Sequence, residues 1–164
     1  MPKMICTSQT FIAQPCQQVR WLDEDCDYEI AADFWLRRGS PLSRETWQEA
    51  IQRYRYCYAG LIHENTVLST AALIPYSSFA WEVGAVGTDE GHRRKGYGKQ
   101  ACAFVTAAIL EEVLIATCTT ADDNEAMIRT ALSVGFRVAD KDAAGRYGDL
   151  ISEYFHRIET GASR

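Results

Sequence analysis

The 164-residue sequence lacks several features that would assign a chain to a particular class of protein. No apolar run approaches the length of a membrane-spanning helix, and the first ten residues contain no signal-peptide hydrophobic segment. The six cysteines form no C-x-x-C pair and no Cys/His spacing of a zinc site. Repeats and low-complexity tracts are also absent. We therefore expect a cytoplasmic protein without a bound metal, with one domain spanning 1–164.

An excess of positive charge is missing as well. The formal net charge is −5 at pH 7, which argues against general binding to nucleic acid. Against this acidic background, residues 92–95 form a local basic patch. Such a patch on an acidic chain favours a small anionic ligand over a nucleic acid or a membrane surface.

The most informative stretch is 81–112, which predicts a strand, a basic glycine loop and a helix in that order. Residues 81–86 are apolar apart from Glu82 and Gly84, as in a buried strand. From Lys99 onward apolar residues recur with helical spacing. A helix N-terminus offers unpaired N–H groups, and nearby glycines let a bulky anion approach them. The loop is therefore predicted to hold phosphate groups, with a diphosphate as the best fit.

Two known phosphate-binding patterns can be compared with this loop. The P-loop pattern fails because Tyr97 stands where its lysine must be. The dinucleotide pattern G-x-G-x-x-G/A is matched by Gly96, Gly98 and Ala101. In that fold the first glycine follows its strand almost at once, whereas here the polar segment 88–95 intervenes. Asp122 and Asp123 lie near the distance expected for the ribose carboxylate, so this alternative stays open.

A third pattern is more specific. The run RRKGYG at 93–98 resembles the R-x-x-G-x-G loop with which GCN5-related N-acetyltransferases (the GNAT family) grip the diphosphate of acetyl-CoA. The preceding strand ends Val86-Gly87-Thr88 at the usual distance, and 124–136 resembles the family's N-x-x-A…GF helix. The resemblance is clear over about 81–137, whereas the first fifty residues carry no signature.

The resemblance implies an α+β GNAT acyl-CoA N-acyltransferase fold, with a central, mostly antiparallel mixed sheet flanked by helices. It implies acetyl-CoA as cosubstrate, a primary amine of a small molecule or peptide as acceptor, and no metal. Neither nucleic acid nor membrane is an expected partner. A homodimer is one assembly state that the chain could form. The expected cofactor-binding residues are Val86, Gly87, Thr88, Arg93, Arg94, Lys95, Gly96, Tyr97, Gly98, Lys99 and Asn124.

For the catalytic base the candidate is Glu82, a carboxylate in an otherwise apolar strand, where it is unfavourable unless used or paired. It lies six residues before Thr88, the spacing at which the histone-acetylating branch of the family places its glutamate. The alternative is that Glu82 points to solvent. Many family members protonate the departing thiolate with a tyrosine four residues before the G-F pair, but that position here is Ala131. Tyr147 and Tyr154 are possible substitutes.

Three functions therefore remain open. The first is acetyl-CoA-dependent N-acetylation of a primary amine. The second is a non-catalytic acyl-CoA-binding or regulatory module, which the missing tyrosine motivates. The third is a dinucleotide-dependent oxidoreductase. The acceptor itself cannot be deduced from the sequence.

The remaining segments alternate between helix and strand patterns. Helices are predicted between Cys26 and Gly39, over 44–54 with Ser43 as N-cap, and after Asn124 up to Gly135. The predicted strands, beside a poorly alternating 4–13, are 56–62, 67–75, 113–119, 136–139 and 150–158. A polar loop is predicted over 140–148 and a frayed tail over 159–164. Cys102 and Cys118 are predicted to be buried as small apolar residues.

Overall fold

The computed structural model describes residues 3–161, which form one mixed sheet of seven strands flanked by five α-helices. The strands are β1 Lys3–Cys6, β2 Val19–Trp21, β3 Cys57–His63, β4 Thr66–Ile74, β5 Ala80–Thr88, β6 Ile115–Thr119 and β7 Arg137–Val138. The helices are α1 Tyr28–Arg37, α2 Arg44–Gln52, α3 Tyr97–Glu112, α4 Glu125–Val134 and α5 Lys141–Thr160. This confirms the expected α+β class. Of the predicted frayed tail 159–164, residues 159–160 belong to α5 and 162–164 lie outside the described residues.

The sheet order is β2-β3-β4-β5-β6-β1-β7. Among the described residues every pairing is antiparallel except that of β5 with β6. The expected mostly antiparallel mixed sheet is therefore confirmed, and β3, β4 and β5 form an antiparallel run before the basic loop. A doubly wound dinucleotide fold requires a largely parallel sheet, so this topology argues against the dinucleotide alternative.

The hairpin between β3 and β4 and the start of α2 show how local sequence sets these elements. Glu64 and Asn65 have φ angles of 49° and 60°, the left-handed values that a two-residue hairpin turn needs. The Ser43 hydroxyl accepts a hydrogen bond from the Thr46 N–H at 3.1 Å, which confirms Ser43 as the cap of α2. Both features were predictable because they depend on adjacent residues.

The helices cover both faces of the sheet. Along β6, Ala116 packs with α3 and α4, whereas its neighbour Ile115 packs with α5. Along β3, Ala59 faces the α3 side and Tyr58 contacts the α1–α2 layer. Because adjacent strand residues point to opposite faces, α3 and α4 lie on one face, and α1, α2 and α5 lie on the other.

The two cysteines that were predicted to be core residues are both buried. Cys102 is in α3 and Cys118 in β6, within the same apolar cluster. Burial raises the pKa of the Cys102 thiol to about 12 and also raises the pKa of Cys118. These thiols act as small apolar side chains, as predicted.

The predicted polar loop at 140–148 and final strand at 150–158 are wrong, because this whole region is the helix α5. The Asp140 side chain accepts a hydrogen bond from the Ala143 N–H at 2.8 Å and caps the helix. Ala143, Tyr147, Leu150 and Tyr154 then face the sheet at spacings of three to four residues. The helical period therefore outweighs the weak alternation seen in the sequence.

The N-terminal strand β1 is shorter than the predicted segment 4–13 and lies between β6 and the edge strand β7. Met4 and Ile5 pair on one side with β6 and on the other with β7. The chain end is thereby fixed by backbone hydrogen bonds on both edges of β1. It brings the side chain of Lys3 into the interior, where only 5% of the residue is exposed.

Substitution of glycines by alanine should distinguish positions where alanine favours the helix from positions where the backbone conformation requires glycine. Gly145 and Gly148 lie inside α5, and a Cβ at either position would meet no atom within 4 Å. Each change to alanine should raise the free energy of unfolding by about 0.5–1 kcal/mol, since alanine loses less conformational freedom in a helix. Urea denaturation measures the change.

The matched control is Gly135→Ala. Gly135 has a φ of 108°, and its Cβ would stand 2.1 Å from the carbonyl oxygen of Thr10. This substitution should lower the free energy of unfolding by about 1–3 kcal/mol. Destabilisation by the alanines in α5 would contradict their assignment as sterically free positions.

Candidate functional site

The site begins where two neighbouring strands separate. The parallel pairing of β5 with β6 ends at Glu82 and Thr117, whereas β5 continues to Thr88. Beyond Glu82 the edge of β5 that faces β6 therefore has no partner strand among the described residues. Its backbone N–H and C=O groups are available to an extended ligand, in the way that a peptide adds to a sheet edge.

A bulge in β5 accompanies this separation. Ala85 has a φ of 50°, and the register between β4 and β5 shifts between Thr70 and Ala72. The Thr70 hydroxyl donates to the Ala85 carbonyl at 2.9 Å, and the Ser69 hydroxyl donates to the Gly87 carbonyl at 2.8 Å. These bonds fix the irregular backbone from the β4 side.

The basic loop leads into the N-terminus of α3 through left-handed backbone. Arg94 has a φ of 65° and Gly96 a φ of 79°, which glycine adopts without strain. Gly96 is the N-cap residue and supplies no side-chain cap. The first N–H groups of α3 have no intrahelical partners, so an anion can take the place of the missing cap.

The helix start also approaches β5 closely. A Cβ on Gly98 would lie 3.0 Å from the Thr88 hydroxyl. Any larger residue at this position would require the Thr88 side chain to shift by a few tenths of an ångström. The end of β5 and the helix N-terminus therefore form two adjacent walls of one cleft.

This cleft has a volume of about 750 Å³ and contains most of the predicted cofactor residues. Those that line it are Val86, Gly87, Thr88, Arg93, Arg94, Gly96, Tyr97, Gly98, Lys99 and Asn124. Of the predicted site residues, Lys95 and the base candidate Glu82 are not part of this lining. Asn124 also caps α4, since its side chain accepts a hydrogen bond from the Met127 N–H at 3.2 Å. The chain thus brings together residues that are separated by up to 38 positions in sequence.

Several lining residues had not been predicted. Arg38 follows the last residue of α1, and its guanidinium donates to the carbonyl oxygen of Thr88. The face of α4 contributes Ala126, Met127, Arg129, Thr130 and Ser133. Once Asn124 was placed in the site, helical spacing could have predicted this face of α4. Arg38 could not be found in this way, because arginines at a helix C-terminus are common.

The base of the loop is tied to the scaffold through Asp89. Its carboxylate contacts the Arg37 guanidinium and lies 2.8 Å from Nδ1 of His92. The hydrogen bond with His92, and then the charge of Arg37, hold the pKa of the Asp89 carboxyl below its usual range. Arg37 also donates to the Val67 carbonyl at 2.9 Å, so α1, β4 and the loop are linked.

Glu82 lies at the inner end of the strand separation and does not point to solvent. It is 4% exposed, and its carboxylate forms an ion pair with Nζ of Lys3 at 3.0 Å. Both side chains are on the α5 face of the sheet, as is Ala80, two residues earlier on β5. The carboxylate is therefore buried, as its apolar strand suggested, and it has a charged partner that the sequence did not reveal.

The positions considered for a proton donor to the departing thiolate lie outside the cleft lining. Ala131 is fully buried in the cluster on the α3 side. Tyr147 and Tyr154 are on α5, on the opposite face. The Tyr154 hydroxyl donates to the Tyr54 carbonyl at 2.6 Å, which occupies its proton. Neither tyrosine lines the cleft.

Comparison with known proteins gives two positive results. The sequence profile of the acetyltransferase (GNAT) family matches residues 16–136. A GNAT-family structure from Novosphingobium aromaticivorans superposes with a TM-score of 0.67 at 18% identity, over 84% of this chain and 60% of that one. A Salmonella typhimurium structure with its cofactor acetyl-CoA has a TM-score of 0.59 at 19% identity, over 76% of this chain and 82% of that one.

A further structure, a GCN5-related N-acetyltransferase from Kribbella flavida, has a TM-score of 0.53 at 20% identity and matches 84% of this chain. This chain spans only 53% of that protein and 60% of the Novosphingobium protein. No curated protein matches the sequence. None of the helices among the described residues has both the length and the apolar character of a membrane crossing.

The anion-binding role of the loop can be tested with inorganic pyrophosphate. The double variant Arg93→Glu/Arg94→Glu should weaken its binding by at least about tenfold, because two charge-assisted contacts become repulsive. Isothermal titration calorimetry measures the affinity. The control is Lys141→Glu/Arg146→Glu, which makes the same charge change on α5, outside the cleft. Equal losses in both variants would indicate a nonspecific effect of net charge.

Proposed function

Because this chain belongs to the GNAT acetyltransferase family, we propose that it transfers the acetyl group of acetyl-CoA to a primary amine of a small molecule or a peptide. One observation carries this proposal. The cleft at the N-terminus of α3 reaches the unpaired edge of β5 at Val86, Gly87 and Thr88, so a diphosphate site would adjoin a slot for an extended arm along that edge. Acetyl-CoA has these two parts in the same order.

The anionic end of the cosubstrate fits the basic end of the cleft. Backbone N–H groups from Arg93 to Gly98 would hold the diphosphate, and the guanidinium groups of Arg93 and Arg94 add full charges. Arg38 supplies a third guanidinium in the lining. The neighbouring face of α4, including Asn124, would contact the rest of the nucleotide end.

The pantetheine arm fits the separated strand edge. From Thr88 to Glu82 the strand extends for about 20 Å, at about 3.3 Å per residue. Backbone groups of Val86, Gly87 and Thr88 would bond to the amides of the arm. A free N–H of the same strand can stabilise the negative charge that develops on the carbonyl oxygen during attack. The bulge at Ala85 redirects the backbone close to this place.

We assign Glu82 as the base that removes the proton from the amine. It lies where β5 and β6 separate, at the inner end of the proposed slot. When bound, acetyl-CoA supplies the activated acetyl group as a thioester, and a thiolate is a good leaving group. The chain would therefore need mainly to hold the amine and the thioester in position and to supply one proton acceptor. The ion pair with Lys3 holds the Glu82 carboxylate in place.

Ala131 favours a second candidate, a domain that binds acyl-CoA without catalysis. The alanine is fully buried and cannot transfer a proton to the thiolate. Under this alternative the cleft would bind acetyl-CoA equally well, but no amine would be acetylated. The two candidates therefore differ in turnover and agree in cofactor binding.

Binding and turnover experiments separate the three functions. Calorimetry should show binding of acetyl-CoA and none of NAD, because the cleft runs into a strand edge instead of a parallel-sheet crevice. CoA release should then exceed the hydrolysis background with at least one member of a panel of primary amines. Binding without turnover for every amine would favour the non-catalytic candidate. Binding of NAD alone would contradict the proposal.

Glu82→Gln should reduce kcat by about 10²–10⁴-fold, the contribution of a general base, while acetyl-CoA affinity stays within about twofold. The amide keeps the size and one acceptor oxygen but cannot take a proton. Steady-state kinetics with an identified amine, together with calorimetry, measure both quantities. An unchanged kcat would exclude Glu82 as the base.

A further inference from the structure

A row of polar side chains crosses the otherwise apolar face beneath α5. Glu82 on β5 is the cross-strand neighbour of Thr117 on β6, and Lys3 on β1 is the neighbour of Thr119. Since β6 lies between β5 and β1, the Lys3 side chain passes over β6 to reach Glu82. The side chains of Lys3 and Glu82 are only 6% and 5% exposed.

One member of this row lacks a partner. The Thr117 hydroxyl is bonded to the Tyr76 hydroxyl at 2.9 Å. The Thr119 hydroxyl oxygen, by contrast, is buried and has no hydrogen bond to any described residue. A buried polar atom without a partner is unfavourable, so it calls for a polar atom from a ligand or a water. It lies at the end of β6, next to the separation from β5.

The Glu82 carboxylate can also accept more hydrogen bonds than those that Lys3 donates. The ammonium lies 3.0 Å from Oε2 and 3.4 Å from Oε1. A carboxylate offers about four lone-pair sites, so further N–H donors can be accommodated. Glu82 and Thr119 thus provide two hydrogen-bond acceptors on the same face of the sheet, since Thr119 is two residues beyond Thr117, the cross-strand neighbour of Glu82.

The charge of the pair determines which form of an amine suits these acceptors. The Lys3 ammonium compensates the Glu82 carboxylate, so the pair has no net charge. A second ammonium would be attracted by the Glu82 carboxylate and repelled by the Lys3 ammonium. Both forces act at short range, where buried charges interact strongly. A neutral amine meets no such repulsion, and the neutral form is the nucleophile that acetyl transfer needs.

We propose that Glu82, Lys3 and Thr119 form the subsite for the acceptor amine and select its neutral form. Glu82 and Thr119 accept hydrogen bonds from the nitrogen, and Lys3 is a positioning residue that acts through Glu82. This inference rests on the proposed acetyl transfer. The nitrogen forms a bond to the carbonyl carbon, the carbon–sulfur bond breaks, and sulfur leaves with the electron pair. One proton moves from nitrogen to Glu82 and finally to the CoA sulfur.

Lys3→Met tests the charge argument, because methionine has a similar length and no charge. The subsite then has a net negative charge and binds the ammonium form more tightly. The KM for the amine should fall by about fivefold and kcat should fall by about tenfold or more, since a stabilised ground state raises the barrier. A residue with a purely structural role would not lower KM. Lys141→Met, at the exposed start of α5, is the control and should change neither constant.

Two further variants guard against misfolding, since Lys3→Met leaves a buried charge without a partner. Lys3→Arg keeps the charge and should restore kcat to within about threefold. Lys3→Met/Glu82→Gln removes both charges and should recover the melting temperature without recovering kcat. Recovery of kcat in this double variant would overturn the proposal.

Thr119→Val tests the second acceptor with nearly unchanged shape. The KM for the amine should rise by about tenfold, the effect of one lost hydrogen bond to a buried group, and acetyl-CoA affinity should be unchanged. A Thr119→Val enzyme with wild-type kinetics, or a Lys3→Met enzyme whose KM does not fall, would overturn the subsite. If acetyl-CoA binds but no amine is acetylated by the wild-type chain, the proposed function fails instead.

Discussion

The separation of β5 from β6 is the constraint on which the rest of the site depends. Neighbouring strands normally stay paired, because an unpaired edge leaves backbone N–H and C=O groups without partners. Here the pairing ends at Glu82 and Thr117 although β5 continues to Thr88. The bulge at Ala85 and the close approach of Gly98 to Thr88 belong to the same separation. The backbone groups along this edge of β5 are therefore already free of β6, so a ligand need not break that pairing to bond to them.

The two ends of this slot have different chemistry. At the cleft end most of the expected recognition comes from backbone: left-handed residues, glycines and the N-terminus of α3. At the inner end side chains dominate, namely an ion pair and threonine hydroxyls. Backbone recognition tolerates sequence change and suits one constant ligand, whereas side chains can be exchanged to suit different acceptors. This difference would explain why the proposed cofactor end is recognisable from sequence and the proposed acceptor end is not.

Features that depend on residues close together in the sequence could be predicted, whereas contacts between distant residues could not. Ser43, Asn124 and Gly135 each act on neighbours within a few positions, so the start of α2 and both ends of α4 could be predicted. Helix α5 was missed because Gly145 and Gly148 weaken its helical pattern. The ion pair of Lys3 with Glu82 joins residues 79 positions apart, and Arg38 reaches the site across 50 positions. No local pattern marks such contacts, and only the sheet order creates them.

The sheet order has one more consequence, which concerns the acceptor end. Its parts come from both ends of the described chain: Lys3 is on the N-terminal strand, and α5 closes the same face from the C-terminal side. The segment that carries the cofactor loop lies between them and shares only β5 and β6 with this face. If the proposed sites are right, changes in the first strand or in α5 would reshape acceptor recognition without altering the diphosphate site. The resemblance is accordingly clearest over about 81–137, because that segment contains the parts proposed to contact a constant ligand.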